Sequence, residues 1–363
     1  MTTTAPASTH RDTTAEHGRS MLAERFNANT GNITIEELPI PTPGPGQVRI
    51  KVAYCGICHS DLSLINGNFP VRTPIITQGH EVSGYIDALG PGVTGWSIGD
   101  PVIPSAGRAC LTCRKCRRGN FPDCLAVQLM AFDFDGGWAE YVVVNAVGLT
   151  RVPEGVPMDQ AAILADAVST PFAAVMRSGQ VHLGNAVGIW GLGGVGTHLL
   201  QLAKLAGGIP IIAVDLDEAT LARARRLGAD YTFRADDPHL IDKIEDATHG
   251  RMIDVAFDAV GITATCTQAA KALDTGGKLV VVGLSGQDLN LGTITNFALG
   301  RKQVIGHLGY KVQDIAMLAE MLRHKRLDLS ESISAVVPLT EVQRGIDMLE
   351  SREGNPIRIL VQP

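Results

Sequence analysis

Four cysteines, Cys110, Cys113, Cys116 and Cys124, follow the spacing C-x2-C-x2-C-x7-C in RACLTCRKCRRGNFPDC. Thiolates so close along a backbone can converge on one tetrahedral metal without long-range folding. Zinc suits them, because it accepts four sulfurs and brings no redox chemistry. A closed four-sulfur site leaves no position for a substrate, so its role is structural. Arg108, Arg114, Lys115, Arg117 and Arg118 lie in the same segment and are expected to offset the tetrathiolate charge. The chemistry must then lie elsewhere. Cys55 and Cys58 fall in YCGICHSD, just after the alternating run QVRIKVAY, and the glycine between them predicts a sharp turn at a strand end. His80 and Glu81 open another β-like run in TQGHEVSGY. Cysteine, histidine and carboxylate are the ligand types of a catalytic zinc, which needs three protein ligands and one open position. Either residue alone would read as a packed core side chain; beside a zinc loop and a nucleotide motif, the metal reading is favoured. Cys266, alone in TATCTQAAKAL, reads as a small buried apolar residue.

Gly191, Gly193 and Gly196 form G-x-G-x-x-G in IWGLGGVGTHLLQLA, with Gly194 inside the same loop. The motif gains weight from its context: it follows the apolar run AVGIW and opens a helical pattern, as a dinucleotide site requires. Missing side chains let the backbone approach a pyrophosphate, whose charge meets the helix N-terminus. Asp215 ends the next strand, PIIAVD, nineteen residues after Gly196. A carboxylate there accepts from both ribose hydroxyls and repels a 2′-phosphate, which selects NAD over NADP. The competing role for Asp215 is the N-cap of the helix that follows.

The elements that must position these residues fall into two regimes. From Met21 to about Leu149, short alternating strands are broken by Gly and Pro, which suggests a barrel-like β domain. From about Pro153, after the helical stretch MDQAAILADAVSTPFAAVMRSG with its interruption at Pro171, buried strands alternate with amphipathic helices, which indicates a doubly wound parallel sheet. The last fifty or so residues read as a return to the first domain. A chain of 363 residues is long for one core and fits this division. The net charge of −6, from 31 basic and 37 acidic side chains, argues against nucleic acid as a partner. No apolar run approaches the ~20 residues needed to cross a bilayer. Residues 1–20 are threonine-rich without an apolar segment, neither signal peptide nor helix, and read as a disordered leader. Zinc-type cysteine spacing without an export signal points to the cytoplasm.

Taken together, CGICHSD, GHE, the four-cysteine loop and GLGGVG resemble, in order, the zinc-dependent medium-chain alcohol dehydrogenases, over essentially everything after Met21. The resemblance implies a GroES-like β-barrel catalytic domain over 21–170, completed by 309–363, and a Rossmann domain over 171–308. It implies two zinc ions and NAD. Cys58 and His80 would be catalytic-zinc ligands, with Glu81 either behind them or transiently on the metal. Many members carry a cysteine as third ligand; Asp166 stands at that position in LADAVSTPF, and bacterial secondary-alcohol dehydrogenases carry aspartate there, with Thr170 and Phe172 matching too. Cys110, Cys113, Cys116 and Cys124 reproduce the structural-zinc loop. Ser60 would take the alcohol proton, Asp61 would orient the site, His59 and Arg358 would meet the pyrophosphate, and Val195 and Thr170 would flank the nicotinamide. The usual relay histidine is Ser63, so proton release must use water or another group. Phe69 stands where ethanol-oxidising relatives have tryptophan. The implied substrate is a small-molecule secondary or medium-sized alcohol or its ketone, with a polyol or threonine as runner-up and a homodimer or homotetramer as the assembly. A non-catalytic cofactor-binding relative and a zinc-free reductase are the other classes; the first tends to lose the ligands and the second lacks the cysteine loop.

Overall fold

The computed structural model describes residues 18–69, 72–121 and 123–363. The leader expected over residues 1–20 therefore lies outside the described residues up to residue 17, and Ser20 already opens the first strand, Ser20–Asn27.

The β-rich part is organised by one long strand, Gln47–Ile57, whose alternation of Val48, Ile50 and Val52 drives one face into a core with Val82, Ile86, Trp138 and Ile359. It pairs antiparallel with Glu81–Leu89 on one side. On the other side its first half pairs with Tyr141–Asn145 and its last residues with Arg358–Gln362. The sheet continues through Pro101–Pro104 and Leu149–Arg151 at one edge and through Ile333–Pro338 at the other. The register Gly56↔Glu81 brings the segment after Ile57 and the segment before Glu81 to the same end of the sheet. Gly56 is required there, because a Cβ would lie 2.0 Å from the Glu81 carboxylate.

The second part is a six-stranded sheet in the order Tyr231–Arg234, Ile211–Asp215, Val187–Trp190, Ile253–Asp258, Leu273–Val281, Gln303–Gly306, with every pair parallel. This is the doubly wound order expected from the alternating pattern. Its central strands are buried on both faces, which is why they read as continuous apolar runs. The order reverses between the neighbours Val187–Trp190 and Ile253–Asp258, so a crevice opens at the carboxyl ends of these strands.

Between the two parts runs a helical stretch over residues 158–179. The interruption expected at Pro171 does not occur; helical turns pass through it as Met158–Ile163, a π turn at Leu164–Val168, Ser169–Ala173 and a second π turn at Ala174–Gly179. A proline removes one N–H and crowds the carbonyl four residues back, and the wider turn just ahead of it absorbs both effects.

Candidate metal and nucleotide sites

The four loop cysteines bring their sulfurs together, with separations of 3.6 Å for Cys113–Cys116, 3.9 Å for Cys110–Cys116 and 4.0 Å for Cys113–Cys124. A zinc tetrathiolate with Zn–S near 2.3 Å has tetrahedral edges of about 3.8 Å, so the donor set fits zinc. Its charge is met differently from expectation. Arg108 donates to Gln128 and lies over the Phe134 ring, Lys115 pairs with Asp123, and Arg114, Arg117 and Arg118 are exposed. The sulfurs instead accept peptide N–H groups: Cys110 from Cys113, and Cys124 from Cys110 and Ala126. A tight loop presents its own amides inward more readily than long side chains, which gain more by staying in water.

The second cluster joins Cys58, His80, Glu81 and Asp166, with ligand atoms all within 4.8 Å of one another. Cys58 precedes the helix His59–Ile65 and its N–H donates to Asp61 Oδ2 at 2.8 Å. His80 lies in the turn before Glu81–Leu89; its lead glycine, Gly79, has φ +87°, and a Cβ there would strike Trp138. The π turn carries Asp166, whose Oδ2 is 3.8 Å from Cys58 Sγ and 3.4 Å from His80 Nε2. Asp61 Oδ1 stands 3.4 Å from His80 Nδ1, which orients the ring so that Nε2 faces the cluster. Thr170 Oγ1 donates to Asp166 Oδ1 at 2.5 Å. Soft sulfur, imidazole and carboxylate converging with restrained orientation form a donor set suited to zinc. Glu81 is fully buried; burial pushes its carboxyl up to about 7 against the pull of Arg358, whose Nε is 3.3 Å away. Of the two cysteines in YCGICHSD, Cys55 is packed in the barrel core beside Gly79 and Gly137, and burial pushes its thiol well up.

Both halves open onto one cavity of about 1450 Å³, lined by Cys58, Ser60, Asp166, Val195 and Asp215 among others. Ser60 Oγ is 3.4 Å from His80 Nε2. Phe132 packs against His80, with centroids 5.8 Å apart, and Phe69 meets Phe132 edge-on at 5.9 Å. On the nucleotide side, Gly191 has φ +83°, and a Cβ on Gly196 would lie 1.7 Å from the Gly191 carbonyl oxygen. Gly193 faces open space, as an anion cradle requires. Gly194 lies against Arg358, whose Nη2 would be 3.0 Å from an added Cβ. Arg358 is buried, donates from Nη1 to the Ile57 carbonyl at 2.9 Å and leaves Nη2 without a partner among the described residues. His59 lines the cleft mouth, where loss of water, then Arg358 and Arg352, lowers its imidazole to about 4. Asp215 accepts from the N–H groups of Leu192 and Asp217. It is not the helix N-cap; Asp217 is, accepting from Thr220 N at 2.7 Å.

Besides Phe132, the cavity holds His307, Tyr310 and Asn355, which the sequence analysis did not single out. His307 donates from Nε2 to the Thr170 carbonyl and accepts at Nδ1 from Ser178, tying the Asp166 helix to the strand end at Gly306. The Tyr310 hydroxyl accepts from Ala106 N, and Asn355 bonds Asp217 and Thr220. Only His307, at a strand end in IGHLG, carried a local signal. Cys266 also departs from expectation. Its thiol donates to the buried Asp258 carboxylate at 2.9 Å, so it is a polar partner and not merely a small apolar filler.

Residues 44–154 match the model of the alcohol dehydrogenase GroES-like domain, and residues 194–324 that of the zinc-binding dehydrogenases. Among curated proteins, the chain is 31% identical to an NAD-dependent alcohol dehydrogenase of Sulfurisphaera tokodaii, covering 91% of this chain and 96% of the other. It is 29% identical to a sorbitol dehydrogenase of Halalkalibacterium halodurans, covering 92% and 96%. Among solved structures, the alcohol dehydrogenase TADH from Thermus sp. ATN1 superposes with a TM-score of 0.87 at 26% identity, covering 94% of this chain and 99% of that one.

Proposed function

Since the chain belongs to the zinc-dependent medium-chain alcohol dehydrogenase family, we propose that it interconverts apolar, medium-sized secondary alcohols and their ketones with NAD, at a zinc held by Cys58, His80 and Asp166. The observation that carries this reading is the convergence of those three donors at one end of the cavity that also holds the glycine loop and Asp215. A zinc there supplies the Lewis acidity that lets a bound alcohol lose its proton near neutral pH, as zinc lowers the pKa of bound water to about 7. The Ser60 hydroxyl, beside His80, is placed to accept that proton, and Ser63 leaves water as its onward carrier. Asp61 fixes the His80 tautomer from behind. The 191–196 loop and Arg358 would hold the pyrophosphate, His59 adding a neutral hydrogen-bond donor, while Asp215 takes the adenosine ribose and Val195 and Thr170 flank the nicotinamide.

Two readings of the substrate compete. Similarity to a sorbitol dehydrogenase favours a polyol. Beside His80, however, Phe132 with Phe69 behind it makes one side of the wall apolar, which favours an apolar substituent over a further hydroxyl there. The division into a catalytic part over 21–170 and 309–363 and a nucleotide part over 171–308 is supported by the pairing of Arg358–Gln362 with Gln47–Ile57. A homodimer or homotetramer is supported by the strongly exposed Ile294, Leu299 and Leu308 next to the open edge strand Gln303–Gly306. No helix among the described residues is long and apolar enough to cross a membrane. Seven unpaired cysteines, most at metal clusters, favour a reducing cytoplasm.

The test is nicotinamide absorbance with secondary alcohols, polyols, threonine and ketones, with NAD(H) and NADP(H), before and after chelation. Apolar secondary alcohols with NAD should turn over best and polyols poorly; silence with one zinc or none per chain would instead indicate a non-catalytic relative. Ser60→Ala should lower kcat by about 100-fold or more while zinc content is unchanged. A near-normal kcat would remove Ser60 as the proton acceptor.

A further inference from the structure

Behind the Cys58–His80–Asp166 cluster lies a buried carboxyl that the reaction does not use. Glu24, on the strand Ser20–Asn27, is completely buried. Its Oε2 accepts from the Gln78 N–H at 2.8 Å, and its Oε1 has no partner among the described residues. The side chain of Gln78 is equally incomplete: Nε2 donates to the Asp61 carbonyl at 3.2 Å, while Oε1 is a buried acceptor without a donor among the described residues. Two unpaired acceptors on two residues already in contact are an unstable arrangement, unless one of them carries a proton. Glu24 is the only one of the pair that can. Around it, the Gln78 N–H and Arg25, itself engaged with Asp135 and Thr77, favour the anion, while the like charges of Asp61 and Asp135 oppose it. Burial is the larger influence and raises the carboxyl to about 8.

We propose that Glu24 is a positioning residue for the catalytic-metal site: as a neutral carboxylic acid it donates its proton to the amide oxygen of Gln78, and so fixes the amide that clamps Asp61. Asp61 in turn serves two ligand residues, accepting from Cys58 N and standing against His80 Nδ1. The line Glu24–Gln78–Asp61 thus ties the strand Ser20–Asn27 to the helix His59–Ile65 and sets the angle at which the His80 ring meets its metal. Neutrality matters as much as contact, because a second carboxylate behind Asp61 would compete for the orientation of the same imidazole. The inference rests on reading Cys58, His80 and Asp166 as a zinc site, but its protonation step can be tested without that reading.

Two measurements separate the possibilities. Difference infrared spectroscopy at neutral pH should show a protonated-carboxyl C=O band that Glu24→Gln removes; if no band is lost, the neutral acid is refuted whatever the metal does. Release of zinc to a chromogenic chelator is followed in wild type, Glu24→Gln and Glu24→Leu, with the four-cysteine zinc as internal control. Glu24→Gln still offers Gln78 both a donor and an acceptor, so its catalytic zinc should leave at the wild-type rate at pH 7. It should also lack the acceleration that wild type shows as pH rises past about 8. Glu24→Leu should release that zinc about tenfold faster, with cysteine-loop zinc and cooperative unfolding unchanged. Wild-type release from Glu24→Leu would overturn the positioning role. Equal damage in both variants would overturn the neutral acid. A wild type that binds only the cysteine-loop zinc would instead overturn the zinc reading itself.

Discussion

At the scale of single residues, the geometry distinguishes glycines that sequence reading treats alike. Gly196 is held against the Gly191 carbonyl, where an added Cβ would be 1.7 Å away, whereas Gly193 has nothing within 4 Å. Gly196→Ala must therefore spread the loop by more than an ångström. It should weaken NAD binding on the order of 100-fold, read by NADH fluorescence titration, with both zinc ions retained. Local motifs made Cys58 and the His80–Glu81 pair legible as ligand types, whereas Asp166 with Thr170 came only from the family resemblance. Spacing alone could not rank Cys55 against Cys58; the resemblance chose Cys58, and the structure separates them because Cys55 lies within the strand Gln47–Ile57 and packs in the core. Phe132 carries no local signal in MAFDFDGG; it reaches His80 only after residues 77–79 and 136–138 have bonded to one another. Cys266 and Glu24 escaped for a related reason. Their partners, Asp258 and Gln78, lie on other elements, and helix or strand periodicity marks burial without saying what is met there.

At the scale of elements, regular structure was the most readable part of the chain. The parallel strands announce themselves as apolar runs because both faces are covered, and the long strand Gln47–Ile57 announces itself by alternation. The π turns at Leu164–Val168 and Ala174–Gly179 left no trace, because a turn widened by one residue has no composition of its own. Two-residue strands such as Ile75–Ile76 and Gly107–Arg108 are too short for any periodicity. Helix starts show how a one- or two-residue ambiguity changes a role. Asp215 and Asp217 both precede Glu218–Leu227, yet only Asp217 caps it, and that leaves Asp215 facing the cleft. Asp217→Ala should cost about 1 kcal/mol of stability by urea denaturation, since it removes the cap bond to Thr220. NAD affinity should change far less than in an Asp215 variant.

At the scale of the whole molecule, the two sheets are joined through buried polar contacts whose protonation sets an acid limit. His198, on the helix Gly194–Leu205, is completely buried and shares a hydrogen bond with Ser332 at 3.0 Å, just before the strand Ile333–Pro338. Burial first, then Arg358, lowers its imidazole to about 3 from 6.5. An unfolded chain would take up this proton below 6.5, and the folded chain refuses it until about 3. The unfolded state therefore binds more protons in that window, and stability falls as pH falls, by about 1.4 kcal/mol per pH unit from this site. His198→Gln should make the drop in stability between pH 6.5 and 5 smaller by about 2 kcal/mol, measured by denaturant titration at each pH. An unchanged slope would mean that the acid limit is set elsewhere. The strand Arg358–Gln362 has a different consequence, one of timing during synthesis. It pairs with Ile57, 301 residues earlier in the chain, and delivers Arg358 to Glu81. At about 5–20 residues per second, the ribosome needs roughly 15–60 s to bridge that gap. Throughout that interval the nascent polypeptide carries a barrel with an open seam and a glutamate without its arginine. The sheet around the Cys58 end of the strand is therefore incomplete until Arg358–Gln362 has been made.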